Sequence, residues 1–265
     1  MKSLWLHRFA VLLAVFTLAV IILGASLTSE IRPLPGAETS SPVVSAPGLE
    51  QAHRITGYAV ALLTLALAIW YSSLLGWIAL GAVIVESFLG GIPVIHALLS
   101  PVFLSLVVAI ALLTSKDWQL EPNFVKGQGD RLRPLGIAIP ILVFLQIGLG
   151  AAFRHNAMGV LWHILNAMIV LLAILIGGIF VLRQHSEHPS LRPAALALVI
   201  ITGVQVLLGF SVYLVLLMSA DNSPSLIVTG VLHVVNGALT LAASVVLAMQ
   251  MLRNIEVTDR SVTSS

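Results

Sequence analysis

The chain has 265 residues, of which 58% are hydrophobic and only 9% are charged. A water-soluble protein carries charges on about a quarter of its residues, so this composition excludes a soluble globular domain and indicates an integral membrane protein. The net charge of +2 is too small to indicate nucleic-acid binding. Because the chain has no cysteine, disulfides, thiolate metal ligands, iron–sulfur clusters and covalently attached c-type haem are excluded.

Eight apolar segments are long enough to cross a membrane as helices, for which about 20 residues are needed. They lack the alternating pattern of a β-barrel, so helices are expected. The predicted spans cover about residues 9–28, 51–71, 74–91, 94–114, 134–152, 159–182, 194–217 and 226–251. The first span resembles a signal peptide, but its longer apolar run favours a retained helix. The predicted fold class is therefore an all-α integral membrane protein with eight transmembrane helices.

The spans divide into two sets of four, separated by the long connection at residues 115–133. A polar residue one turn before a glycine recurs in spans three, five and seven, as Glu86–Gly90, Gln146–Gly150 and Gln205–Gly209. Internal repetition of this kind indicates duplicated units. We expect two pseudo-repeated four-helix bundles, an N-terminal half (1–114) and a C-terminal half (134–265), joined by a cytoplasmic linker (115–133).

Lysine and arginine are distributed unevenly between the two sides of the predicted membrane. With the N-terminus inside, the outer segments hold only Arg32, Arg54 and Arg154, and the inner segments hold the other 10 of the 13 basic residues. The positive-inside rule therefore places both termini in the cytoplasm. We expect a multi-pass protein of a prokaryotic plasma membrane.

Each even-numbered span carries one histidine near its beginning, and the four are His53, His96, His163 and His233. These spans run from outside to inside, so the histidines lie at a similar depth in the outer half of the membrane. Each is followed four residues later, on the same helix face, by a small or nearly small residue: Gly57, Ser100, Ala167 and Gly237. Ionisable residues within spans are costly and usually functional. The remaining histidines lie in flanks or loops, and we expect His185 and His188 to be solvated.

Two pairs of imidazoles, one pair in each half, suit the axial positions of two haem irons in helical bundles. Zinc or copper would need three or four converging ligands. For any single histidine, a hydrogen bond to a neighbouring helix is the alternative. Three arginines lie on the outer side, Arg32, Arg54 and Arg154. They either pair with haem propionates or extend their charged ends to the membrane interface.

With these residues in place, the sequence resembles the haem A synthase family of cytochrome oxidase assembly proteins over essentially its whole length. The stretch Glu50-Gln-Ala-His53-Arg54 matches the family's Glu-x-x-His-Arg motif at the start of span two. The stretch "LQIGLGAAFRHN" is similar to the family's span-five ending, and "HVVNGAL" is similar to its span-eight histidine segment.

The resemblance implies that the first half binds haem O between His53 and His96, and that the second half binds haem b between His163 and His233. The implied reaction oxidises a methyl group of haem O to a formyl group, giving haem A for cytochrome oxidase, with Glu50 as the carboxylate near the reacting site. The implied partners are haem O, membrane lipid, a haem O synthase and an electron donor, and a homo-oligomer is compatible with the sequence.

Several roles remain open from the residues alone. Glu50 either handles protons, orients His53 or pairs with Arg54. Glu86 stands where the family usually has a glutamine, either as a second acid or as a protonated hydrogen-bond donor. The chain also lacks the cysteine pair that many members carry in the first outer loop. The competing functions are a two-haem electron-transfer cytochrome and a haem carrier or assembly factor without turnover.

Overall fold

The computed structural model describes residues 2–31, 46–125, 129–218 and 223–254, and these contain helices and no strands. Eight helices are long and apolar enough to cross a membrane, which confirms the predicted fold class. The helices are α1 (Lys2–Ile31), α2 (Pro47–Tyr71), α3 (Leu74–Phe88), α4 (Pro93–Leu113), the short α5 (Lys116–Gln119), α6 (Gly129–Arg154), α7 (Val160–Gln184), α8 (Leu191–Met218) and α9 (Pro224–Asn254). A 3₁₀ turn, Leu89–Gly91, follows α3.

Local sequence signals set several helix ends. Proline opens α2 and α4, where its fixed φ angle suits the first turn and its missing N–H has no partner to lose. The Ser73 side chain accepts a hydrogen bond from the Gly76 N–H and caps α3. Ser72, between α2 and α3, adopts a left-handed conformation with φ 46°. The tight α2–α3 connection therefore reverses the chain within a few residues.

In each half, four helices form a closed ring of packed neighbours. The first ring runs α1–α2–α3–α4 and back to α1, and the second runs α6–α7–α8–α9 and back to α6. Helices α2 and α4 are consequently diagonal across the first ring, as are α7 and α9 across the second. The two rings pack against each other through α1, α4, α6 and α9. Each ring thus encloses an interior that its diagonal helices face from opposite sides.

The fully buried side chains are unevenly distributed along these helices. Each half has its own apolar core, and a small third cluster of Ile21, Leu104 and Ala238 joins α1, α4 and α9. No residue is fully buried in the segments 47–59, 93–100, 160–169 and 203–218. These segments lie at the end of the molecule that carries the span histidines, which we call the outer end after the predicted orientation. These parts of α2, α4, α7 and α8 are therefore more exposed than their inner parts, whereas α1, α6 and α9 also bury residues at the outer end, among them Ala25, Ala151 and Gly230.

At the inner end, residues 118–125 of the linker pack against the end of α9 and the α7–α8 loop. The guanidinium of Arg253 lies 4.4 Å from the Trp118 ring centroid, and the Asn254 carbonyl accepts a hydrogen bond from the Val125 N–H at 2.8 Å. These contacts hold part of the linker against the C-terminal half.

The expectation that His188 is a solvated loop residue is wrong, because its side chain is only 7% exposed. Its Nδ1 accepts hydrogen bonds from the N–H groups of Ser190 and Leu191 at 3.2 and 3.1 Å, which caps the start of α8. Its Nε2 donates to the Asn123 carbonyl at 2.8 Å. Residue 123 lies 65 positions away along the chain, and no sequence pattern indicates that it covers this loop.

Candidate functional site

The four span histidines meet in two pairs. The ring centroids of His53 and His96 are 6.3 Å apart, and those of His163 and His233 are 6.2 Å apart, with ring planes inclined by 78° in both pairs. Each pair joins two diagonal helices, so the imidazoles face each other across the interior of a ring. The pairing expected from the spacing of the histidines is therefore present in both halves.

The separation of the rings suits one metal ion between two imidazoles. Metal–nitrogen bonds of about 2 Å on opposite sides of one ion place the two ring centroids roughly 6 Å apart. Among the described residues, no three or more His, Asp or Glu side chains are arranged to hold a metal ion together. Each pair thus offers two protein ligands, which is the number that a haem iron accepts along its axis.

There is space beside one histidine of the first pair. A Cβ added at Gly57, one turn after His53 on the same helix face, would meet no atom within 4 Å. The residues present therefore fit a bound haem in their ligand set and in their separation, and in the first half also in the space beside His53.

Three of the imidazoles pack against a glycine of the preceding helix, a contact that the histidine spacing did not predict. A Cβ on these glycines would come within 2.9–3.0 Å of the ring Cε1 atom: Gly24 against His53, Gly150 against His163, and Gly209 against His233. The sequence pattern predicts instead that a small residue four positions after each histidine provides the clearance. The sequence feature that could have predicted these contacts is the repeated glycine near the outer end of the odd-numbered spans.

In the second half, a glutamine lies against each histidine ring, and an asparagine holds that glutamine. The Gln146 Nε2 atom lies 3.0 Å from His163 Nδ1, and its Oε1 accepts a hydrogen bond from Asn166 at 2.9 Å. The same arrangement recurs around His233, where Gln205 and Asn236 occupy the equivalent places at 3.2 and 2.8 Å. Both rings of the second pair are consequently restrained by polar side chains.

The first pair is restrained differently. Nδ1 of His96 lies 3.2 Å from the Glu86 carbonyl, and the buried Glu86 carboxyl group is hydrogen-bonded to the Ser100 hydroxyl. Nδ1 of His53 is buried and has no hydrogen-bond partner among the described residues. Glu86 therefore occupies the place of Gln146 and Gln205, but its carboxyl group reaches Ser100 and not the imidazole.

Glu50 and Arg54 lie at the mouth of the first site. They form an ion pair at 2.6 Å, one helical turn apart, with side chains 48% and 66% exposed. Of the roles that the sequence left open for Glu50, the ion pair with Arg54 is the one present in this geometry. The catalytic role of Glu50 remains a prediction.

The other two outer arginines have different positions. Arg154 donates to the Ala25 carbonyl at 2.9 Å and to the Ser29 hydroxyl at 2.5 Å, so its contacts reach α1 in the other half. Arg32 lies outside the described residues. The suggested contacts of these arginines with haem propionates remain predictions.

No protein-family model matches the chain, and no curated protein shows significant similarity to it. The function is therefore inferred from the geometry of the two histidine pairs and from the motifs in the sequence.

Proposed function

We propose that the protein is a haem-binding membrane oxidoreductase of the haem A synthase type, which oxidises a methyl group of haem O to the formyl group of haem A. The observation that carries this proposal is the facing pair of histidines inside each four-helix ring, with centroids 6.3 and 6.2 Å apart. The Glu-x-x-His-Arg stretch at the mouth of the first ring supports the enzymatic form of the proposal over simple haem binding.

The difference between the two pairs supports separate roles for them. A resident cofactor benefits from a site whose side chains are held in place, and the amides of Gln146 and Gln205 lie against the rings of His163 and His233. A substrate that must leave as product benefits from a less restrained site, such as the one around His53, whose Nδ1 has no partner among the described residues. We therefore assign haem b to the second half and haem O to the first half.

Conversion of a methyl to a formyl group replaces carbon–hydrogen bonds by a carbon–oxygen double bond. Either water supplies the oxygen atom and an electron acceptor takes up the electrons that the carbon loses, or dioxygen supplies the oxygen atom and serves as the oxidant. Bound haem supplies the redox chemistry, whereas the protein supplies position, ligation and local charge.

The residues of this chain have specific tasks in that scheme. His53 and His96 hold the substrate between diagonal helices. The Glu86 carbonyl accepts the Nδ1 hydrogen of His96, which leaves Nε2 of that ring free as a ligand. Glu50 is half exposed at the mouth and exchanges protons between the site and water.

A two-haem electron-transfer cytochrome is the second candidate. It is favoured by the near identity of the two pairs in separation and ring inclination, and by the engagement of Glu50 with Arg54. In that case both pairs hold permanent haems and neither site releases a product.

Pigment extraction separates these functions. Cells that make haem O are grown with and without the protein, and the extracted haems are identified by pyridine haemochrome spectra. A synthase produces haem A only when the protein is present. If haem O stays unconverted while the purified protein carries haem b in both halves, the cytochrome is correct. A protein that carries haem O unchanged is a carrier.

Two variants test the assignment of Glu50. Glu50→Gln removes the carboxylate, and we expect it to retain bound pigment but to lose haem A formation. Arg54→Gln breaks the same ion pair while keeping the carboxylate. If the two variants lose activity equally, the ion pair matters and the proton-transfer role of Glu50 is wrong. Glu187→Gln, in the exposed α7–α8 loop, is the matched control for loss of a negative charge.

A further inference from the structure

Arg154, the last residue of α6, connects the two halves of the molecule. Its Nη2 atom donates to the Ala25 carbonyl at 2.9 Å and to the Ser29 hydroxyl at 2.5 Å. The Ser29 hydroxyl in turn donates to the Ala25 carbonyl at 2.8 Å, so the three groups form a closed triangle of hydrogen bonds. Ala25 and Ser29 are 7% and 4% exposed, which shows that this junction is tightly packed.

A third helix closes the junction. Gly230 of α9 is buried, and a Cβ on it would lie 3.7 Å from Nη1 of Arg154. The guanidinium therefore lies where α1, α6 and α9 meet. Carbonyl groups near the C-terminal ends of α1 and α6 carry partial negative charge, and hydrogen bonds from a charged donor are stronger than neutral ones. The junction is consequently a favourable place for a cation.

Both histidine pairs are close to this junction along the chain. Ala25 directly follows Gly24, the glycine that packs against His53. Arg154 lies one helical turn after Gly150, the glycine that packs against His163. A displacement of α1 relative to α6 would therefore change the packing on an imidazole in each half.

We propose that Arg154 is a positioning residue that fixes the outer end of α1 to α6 and α9 and thereby sets the two histidine pairs relative to each other. Electron passage between two haems depends on their separation, so this junction supports the relay between the halves. The inference rests on the proposed haem binding for its spectroscopic test, but its geometric test is independent of haem.

The geometric test uses the absence of native cysteine. Single cysteines at Tyr58 and Met168, equivalent exposed positions five residues after His53 and His163, carry spin labels for pulsed distance measurement. We expect Arg154→Met to broaden the distance distribution between the halves and shift it to longer values. Arg154→Lys keeps a charged donor, so its distance distribution should return part of the way to that of the wild type. Arg183→Gln, an exposed arginine at the inner end of α7, leaves the distribution unchanged.

A second pair of variants covers the case in which Arg154→Met does not fold. Ser29→Ala removes one acceptor, and Gly230→Leu crowds the guanidinium from α9. Both should broaden the same distribution to a smaller extent. Distances identical to the wild type in every folded variant would overturn the inference.

The spectroscopic test uses the haem-loaded protein. We expect Arg154→Met to shift the electron paramagnetic resonance signals and reduction potentials of both haems, because both pairs lose the same support. A lower melting temperature with unchanged signals would show a merely structural role and overturn the inference. A wild-type protein without haem would overturn the proposed function, and the distance measurement would then decide the role of Arg154 by itself.

Discussion

Gly150 of α6 lies so close to the imidazole of His163 that only a hydrogen atom fits between them. A Cβ on residue 150 would approach Cε1 to 2.9 Å and Nδ1 to 3.1 Å, closer than side-chain carbons normally come. Gln146, one turn earlier on α6, lies 3.0 Å from the same Nδ1 atom. The orientation of His163 thus depends on the preceding helix.

Gly150→Ala should weaken haem binding in the second half, because the added methyl group pushes the ring from its place. Changes in groups that orient a metal ligand typically reduce affinity by about 10–100-fold, and haem titration of the purified variant measures this. Gly203→Ala is the control, since a Cβ there meets no atom within 4 Å. That control should be neutral or more stable by about 0.5–1 kcal/mol, as glycine disfavours helices. Equal haem affinity in both variants contradicts the prediction.

Gln205→Leu should reduce haem affinity in the second half by roughly 10–100-fold, because His233 loses the amide that orients it. It also leaves the Asn236 amide with one acceptor fewer. The electron paramagnetic resonance signal of the second haem reports ring orientation and should broaden. Gln205→Asn, which keeps an amide on a shorter side chain, separates the loss of hydrogen bonding from the loss of length.

Glu86→Gln should retain haem in the first half, because an amide also forms the hydrogen bond with Ser100 and leaves the carbonyl contact with His96 intact. Glu86→Leu leaves the Ser100 hydroxyl without this partner and should lose first-site haem. Extraction and quantification of haem from both variants measures this. Loss of haem A formation in Glu86→Gln, with pigment retained, would instead make Glu86 a second required acid.

His188→Ala should destabilise the inner end of the protein by about 1–3 kcal/mol, because three backbone groups lose a buried partner. Thermal unfolding and proteolysis of residues 118–125 measure this effect. The haem spectra should not change, since His188 lies at the opposite end of the helices from the histidine pairs. His188→Asn keeps a side chain suited to helix capping and should restore part of the stability.

The inner end should also lose stability in acid through His185. Burial lowers the pKa of His185 below its ordinary value of 6.5. The unfolded chain therefore binds a proton more readily than the folded chain as the pH falls through this value, and folding becomes less favourable. At pH values well above 6.5, the contribution of His185 to the stability of the fold is constant.

The measurement compares melting temperatures at about pH 7.5 and about pH 5.5, values on either side of the ordinary pKa of histidine. We expect the wild type to lose more stability over this range than His185→Gln, whose side chain does not titrate. An identical pH dependence in the two proteins would show that His185 does not contribute.

The sequence by itself determined the class of fold and predicted the residues of the candidate site. Hydropathy located the eight helices, because in lipid each span must satisfy its own backbone hydrogen bonds, a local property. The spacing of one histidine in each even-numbered span placed all four at one depth, since helix direction alternates along the chain. The motif around Glu50 lies at the start of a span, so its position at the mouth of the first site also follows from hydropathy.

Only the tertiary structure decided which groups touch. The contact of Arg154 with Ala25 joins residues 129 positions apart, and the capping of α8 by His188 depends on a linker folded back over it. Sequence periodicity tells which face of a helix is polar, but not which neighbour that face meets. That choice depends on the packing of whole helices, which put Gly24, Gly150 and Gly209 against the imidazoles.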